Sequence, residues 1–354
     1  MANWSESMKQ TFEYYIVNPR TWRDEKLIDN VKSCTISRNT DSETLGSATF
    51  DIADSIGECY IRVYLIVVQN GVQEKYPLGT YLVQTPYASF DGKRRSVSVD
   101  AYTPLLELKE NPPPLGYSIP KGTNIMDIAY QLAQENARAP VIGSGSDSVL
   151  YYDFVSEPNG DTWLSFLTDL ISNAKYSFAL DEMGRILFTP KQDTASLQPV
   201  WTYDHGSNSS ILYPEMSIDH DLYDIPNVVE VVYSNAGDNF YARVVNDDPN
   251  SPISTVSRGR EIVHRVTDPD VIGSPTENWI HKYADQLLRD LSTLEYTVSY
   301  THGYCPVRIG DCIRLNHSMA GLNGIKAKVV SQSISCEPGC PVTEKAVYTK
   351  KLWG

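Results

Sequence analysis

A chain of 354 residues with 41% hydrophobic and 21% charged residues is long enough to bury a sizeable core and too apolar to stay disordered. It is expected to fold into about two to four compact units. Thirty basic against 44 acidic residues leave a net charge of −14, a field that repels polyanions and argues against specific nucleic-acid binding. The longest apolar run, Ile61 to Val68, is broken by Arg62 and Tyr64 and falls far short of the roughly 20 residues that cross a bilayer. The start, Met-Ala-Asn-Trp-Ser-Glu, has neither the basic nor the apolar part of a secretory signal, so synthesis in a cytosol is expected.

The first 110 residues read as about six short strands separated by turn residues, the pattern of a sandwich or small barrel. Val31, Ser33, Thr35 and Ser37 alternate with Lys32, Cys34 and Ile36, and Ala48, Phe50 and Ile52 alternate with Thr49, Asp51 and Ala53, which gives each segment one candidate core face. Asn70-Gly71, between the β-branched run Cys59 to Gln69 and the returning Val72 to Gln84, predicts a two-residue hairpin. A second turn is expected at Asp91-Gly92, and the basic cluster Lys93-Arg94-Arg95 beside it reads as a solvated hairpin end. Asn111-Pro112-Pro113-Pro114 continues neither a ladder nor a helix and marks a boundary.

Residues 111–210 change period. Ile125, Ile128, Ala129, Leu132 and Ala133 fall at helical spacing, predicting a helix over 123–136 with Thr123 or Asn124 as its cap. A Gly/Ser-rich stretch, Gly143 to Ser148, reads as a flexible loop. A second helix is predicted over 161–174 through Trp163, Leu164, Phe166, Leu167, Leu170 and Ile171, followed by a hairpin of Lys175 to Leu180 and Arg185 to Thr189. From 211 on, strand patterns resume. A hairpin is expected around Asn235-Ala236-Gly237-Asp238, an exposed loop over 246–257, and a helix within 271–294 opened by Ser274, Pro275 and Glu277 as a capping box.

Of Cys34, Cys59, Cys305, Cys312, Cys336 and Cys340, only the last two approach the spacing of zinc ligands. A disulfide across that turn is a second reading, and plain buried thiols are preferred. The histidines at 205, 220, 264, 281, 302 and 317 form no i, i+4 pair suited to a metalloprotease. The acidic pairs Asp247-Asp248 and Asp268/Asp270, and the triplet Asp219-His220-Asp221, read as turn formers and as a polar strand face rather than as glycosidase carboxylates or a cation site. Nucleophile-elbow and phosphate-loop patterns are absent. No catalytic, cofactor-binding or metal-binding residue is therefore assigned.

Thr162-Trp163-Leu164-Ser165-Phe166-Leu167-Thr168-Asp169-Leu170-Ile171, then Tyr176 to Asp181, Gly184 and Ile186 to Pro190, resembles the helix-plus-hairpin element of bacteriophage tail (baseplate) hub proteins. The later pattern is similar to the second barrel of that family: a helix Trp279 to Leu291, then Pro306 to Ile313, with Ile325 to Ile334 returning. The resemblance implies an α+β, mainly β chain with two small antiparallel β-barrels and an intervening helix-plus-hairpin domain. The first barrel would take residues 1–110, the α/β insert 111–210, and the second barrel 211–270 with 295–354, interrupted by the helix of 271–294. It further implies a homotrimeric ring that adapts a sixfold tail tube to a threefold spike and passes DNA through its lumen without specific binding. Its neighbours would be the tail tube or distal tail protein, the spike or tail-tip protein and the tape measure protein, in a virion tail assembled in the host cytoplasm. Some relatives carry a lytic domain after the second barrel, for which no residues are expected here. Two rival readings are a receptor- or carbohydrate-binding tail module, suggested by 23 tyrosines and exposed loops, and a cell-wall hydrolase using the loop carboxylates.

Overall fold

The computed structural model describes residues 2–53, 56–90, 95–143, 145–157, 160–206, 211–223, 225–235, 238–267, 269 and 276–353. It divides into one unit of residues 1–216 with 299–346 and a second of residues 217–298 with 347–354. Strands dominate and most of their ladders are antiparallel, as the mainly β expectation requires.

In the first unit, β1 (Lys9–Val17), β2 (Asp24–Leu27), β3 (Val31–Asn39), β4 (Gly46–Ile52), β5 (Tyr60–Gln69), β6 (Val72–Phe90) and β7 (Arg95–Tyr102) pair in the order β2-β1-β5-β6-β7-β4-β3. The period of two is realised: Cys34, Ile36, Ala48, Phe50 and Ile52 are all buried on the core face. At the β5-β6 hairpin Asn70 has φ 52° and Gly71 φ 77°, the pair of positive values that a type I′ turn demands. The expected Asp91-Gly92 turn and Lys93-Arg94 lie outside the described residues. The sheet does not stop at β3. Its other edge accepts the strand Leu322–Ser335, with Ile334 opposite Ile36 and Ser331 opposite Asn39, and that strand also pairs with Cys312–His317. Among the described residues the ladder stays open, with β2 at one edge, and closes no barrel.

Helices of the same unit pack over the sheet's end. Helix α1 (Leu106–Glu110) was not expected; it forms because Leu105 and Leu108 are wholly buried just before the prolines. Helix α2 (Ile125–Asn136) is capped by Asn124, whose side chain accepts from the Met126 and Asp127 amides at 3.0 and 3.1 Å. Helix α3 (Trp163–Asn173) is capped by Thr162 in a capping box with Ser165. The strands Tyr176–Leu180 and Ile186–Pro190 follow α3 as a hairpin, with Phe178 opposite Phe188. Val17, Trp22, Tyr60 and Leu82 of the sheet share one core with Phe166 and Leu170 of α3.

The tip of that hairpin constrains Gly184. Its φ is 73°, and a Cβ there would stand 2.6 Å from Thr80 Cβ on β6. Thr80 is branched and only 2% exposed, so it cannot turn aside. Gly184→Ala is expected to destabilise the fold by about 1–3 kcal/mol, read as a lower urea midpoint with an unchanged m value.

In the second unit the strands Val228–Asn235, Asp238–Val245 and Val263–Thr267 form one sheet, covered by helix α5 (Glu277–Leu291), after a one-turn helix α4 (Thr255–Arg258). Ile280, Ala284 and Leu288, at i, i+4 and i+8, pack on Val229, Val231, Ala242 and Val244. The cap of α5 is Thr276, which accepts from the Trp279 amide at 3.3 Å. Ser274 and Pro275, the expected start, lie outside the described residues, as does the centre of the turn at Ala236-Gly237. The stretch 246–257 departs in part from expectation. Asp247, Pro249, Asn250, Pro252, Val256 and Ser257 are exposed as expected, but Asn246, Ser251, Ile253 and Ser254 are buried. Its polar side chains satisfy each other inside the loop, as in the 2.9 Å bond from Asn246 Nδ2 to Ser251 Oγ.

Candidate functional site

Strand pairing in the first unit brings together a cysteine, a histidine and a glutamate. Tyr300 and His302 project from one face of the strand Thr293–Gly303, Glu344 from Pro341–Lys351, Gln332 from Leu322–Ser335 and Tyr203 from Trp201–Asp204. His302 Nε2 lies 3.0 Å from the Tyr203 hydroxyl and 3.3 Å from Glu344 Oε2, and His302 Nδ1 lies 2.7 Å from the Gly303 carbonyl. Glu344 also accepts from Gln332 Nε2 at 2.8 Å and from the Tyr300 hydroxyl. Cys305 Sγ is 3.3 Å from the Tyr203 hydroxyl and 4.0 Å from His302 Nδ1. Burial alone would lower the His302 pKa. Hydrogen bonds to Cys305 and Glu344 and the Glu344 charge outweigh it and raise the value from 6.5 to about 10, so the imidazole is held as a cation against a carboxylate.

The residue types are those of a cysteine hydrolase, but the setting is not. None of Tyr203, Tyr300, His302, Cys305 and Glu344 is more than 2% exposed, so a substrate carbonyl cannot reach the thiol without opening the sheet. The cluster joins four strands through a satisfied polar network.

A second network ties the α3 hairpin to the sheet. Arg62, 1% exposed on β5, donates from Nη1 to Asp24 at 2.7 Å, from Nε to Thr80 Oγ1 at 2.9 Å, and from Nη2 to the carbonyls of Met183 at 3.1 Å and Trp22 at 3.3 Å. Trp22 Nε1 adds a bond to the same Met183 carbonyl at 2.7 Å, and Arg308 pairs with Glu182. The cavity beside this anchor, lined by Arg38, Tyr81, Glu182 and Arg308 among others, measures about 50 Å³. That is room for water, not for a substrate.

The candidates weighed from sequence separate in space. Asp219, His220 and Asp221 are exposed; the His220 ring lies against Tyr296 at 4.9 Å and Asp221 accepts from the Tyr223 amide. Asp248 accepts from the Asn250 amide at 2.9 Å, a turn-forming role. Asp268 and Asp270 lie outside the described residues. Ser146 and Ser148 bond each other, and the Ser146 carbonyl accepts from Asn124, so the described part of that Gly/Ser stretch is tied to the start of α2; Ser144 lies outside the described residues. All six cysteines are free thiols, and among the described residues no group of three His, Cys, Asp or Glu is arranged to hold a metal ion. No helix among them is long and apolar enough to cross a membrane. Sequence reasoning passed over Glu344 and treated His302 as one of several scattered histidines. The available signal was period two, because both occupy core-facing slots, between Val342 and Ala346 and after Val298 and Tyr300.

No family model matches the chain, and no curated protein matches it in sequence. Two solved structures nevertheless share its architecture from end to end. The tail protein from Neisseria meningitidis is 14% identical, with 96% of each chain covered and a TM-score of 0.63. The 43 kDa tail protein of prophage MuSo2 from Shewanella oneidensis is 12% identical, with 95% of this chain and 98% of its own covered and a TM-score of 0.64. The chain has a tail-protein fold. The segment Asp161 to Pro190, on which the resemblance was drawn, supplies a helix and hairpin to this tail-protein fold. Its two polar networks sit inside the fold.

Proposed function

We propose that the chain is a structural hub protein of a bacteriophage tail. The observation that carries this reading is the end-to-end match to two tail proteins, which leaves almost no part of either chain uncovered. In this reading three copies form a ring, and the two β-rich regions of each copy, taken as small barrels over 1–110 and over 211–270 with 295–354, give six similar parts. The ring adapts a sixfold tube to a threefold spike, with the insert 111–210 and the helix of 271–294 as spacers. Tail tube or distal tail protein, spike or tail-tip protein and the tape measure protein are its neighbours in the virion, and assembly takes place in the host cytoplasm. DNA passes through the lumen, where a chain carrying −14 charge offers a polyanion few salt-bridge traps. The chain catalyses nothing. Its most enzyme-like constellation, around His302, is sealed from solvent.

Light scattering of the purified chain tests the assembly. A mass three times that of the chain is expected at micromolar concentration. A monomer that binds glycans, or that clears peptidoglycan in a zymogram, would contradict the reading.

A further inference from the structure

We propose that Cys34 and Cys336, 302 positions apart in the chain, close a cross-strand disulfide when the protein meets an oxidising medium. The register of β3 against Leu322–Ser335 sets Ile334 opposite Ile36 and Ser335 opposite Thr35. The next pair is Cys336 with Cys34, and the Cys336 amide donates to the Cys34 carbonyl at 2.9 Å. A pair of this kind holds its Cα atoms about 5.5 Å apart, inside the roughly 4.4–6.8 Å that a disulfide spans. Side chains alternate along a strand, so both cysteines lie on the face that buries Ile36 and Ile334. Burial and Cys336 together push the Cys34 thiol well up, as a neighbouring thiol would.

Cys340 is the competing partner. It is wholly buried beyond a tight turn in which its amide donates to the Glu337 carbonyl at 2.8 Å. It lies on the far side of that turn, whereas the register sets Cys34 directly across from Cys336. Cys34 is therefore the favoured partner. The inference stands on strand register and does not depend on the tail role.

The oxidant is a low-molecular-weight disulfide. Cys336 is half-buried while Cys34 and Cys340 are buried, so Cys336 is the thiol such a reagent can reach. Its thiolate attacks one sulfur of the reagent, the reagent's S–S bond breaks, and the first small thiol leaves with a proton. Cys34 then loses its proton and attacks the Cys336 sulfur, and the second small thiol leaves with that proton. Two protein thiols have lost two electrons and two protons, and one small disulfide has become two thiols. Burial pushes the Cys34 pKa well up, so the second step should quicken as pH rises. The bond would join the amino-terminal strands to the strand ending at Ser335, at the seam where the two parts of the sheet meet.

The test treats the full-length chain with oxidised glutathione, blocks remaining thiols with iodoacetamide in denaturant, and digests with trypsin without reductant. Residues 33–38 carry Cys34, and residues 329–345 carry Cys336 and Cys340. The expected product joins these two peptides, keeps one alkylated cysteine and separates on reduction. The link should persist in Cys340→Ser and vanish in Cys34→Ser. The oxidised wild type should melt higher by roughly 5 °C or more. Full alkylation of Cys34 after prolonged oxidation would overturn the proposal, as would an internal Cys336–Cys340 bond or loss of the link in Cys340→Ser.

Discussion

Glu344→Ala is expected to destabilise the protein by about 3–5 kcal/mol, the range for removing one partner of a buried ion pair. Glu344 is fully buried and balances the His302 cation while accepting from Tyr300 and Gln332. Its loss leaves the imidazole and two donors without their acceptor inside the buried cluster. The variant should also change the response to pH. In the wild type the folded His302 pKa of about 10 lies above its ordinary 6.5. The stability this provides is complete below about pH 6.5 and is lost as pH rises through about 10. Without the carboxylate only the Cys305 bond still opposes burial, so that alkaline decline should weaken. Urea midpoints of both proteins, compared at about pH 6 and pH 10, measure the two effects together. A variant as stable as the wild type at the lower pH would show that the cluster does not hold the strands.

Arg62→Ala should cost a similar amount, about 3–5 kcal/mol, with its consequences concentrated at the α3 hairpin. One guanidinium serves Asp24, Thr80 and two carbonyls, and no smaller side chain reaches all four. Arg62→Lys keeps the charge but loses the planar fork, and should recover only part of the loss. Hydrogen exchange localises the effect. The amides of Gly184 and Arg185, which bond to Asp181 in the wild type, should exchange faster in Arg62→Ala, while those at the centre of β4 remain protected. Uniform loss of protection across the sheet would mean that Arg62 supports the whole fold rather than the hairpin.

Much of the local structure was legible because one residue type at one position decides it. Asn70-Gly71 could only be a tight hairpin turn, and the caps Asn124 and Thr162 stand where the helical period begins. What the sequence concealed was pairing over long separations. Arg62 reads as an interruption of the apolar run Ile61 to Val68. In the fold nearly the whole of β5 is buried on both faces, and Arg62 is tolerated because partners 38 and 121 residues away in sequence converge on it. The same holds for Cys336, whose spacing points to Cys340 while strand register presents Cys34. Helix α1 was missed because five residues are too few to display a period. The buried side of the loop 246–257 was hidden because turn-forming Asn and Ser residues mark exposed and self-satisfied positions alike.

The proposed role puts the chain on the tail axis. A cryo-electron microscopy map of particles that carry this chain tests it most directly. The predicted result is a threefold ring of three copies at the lower end of the tail tube. Density for the chain away from the axis, or as single copies on fibres or capsid, would contradict it.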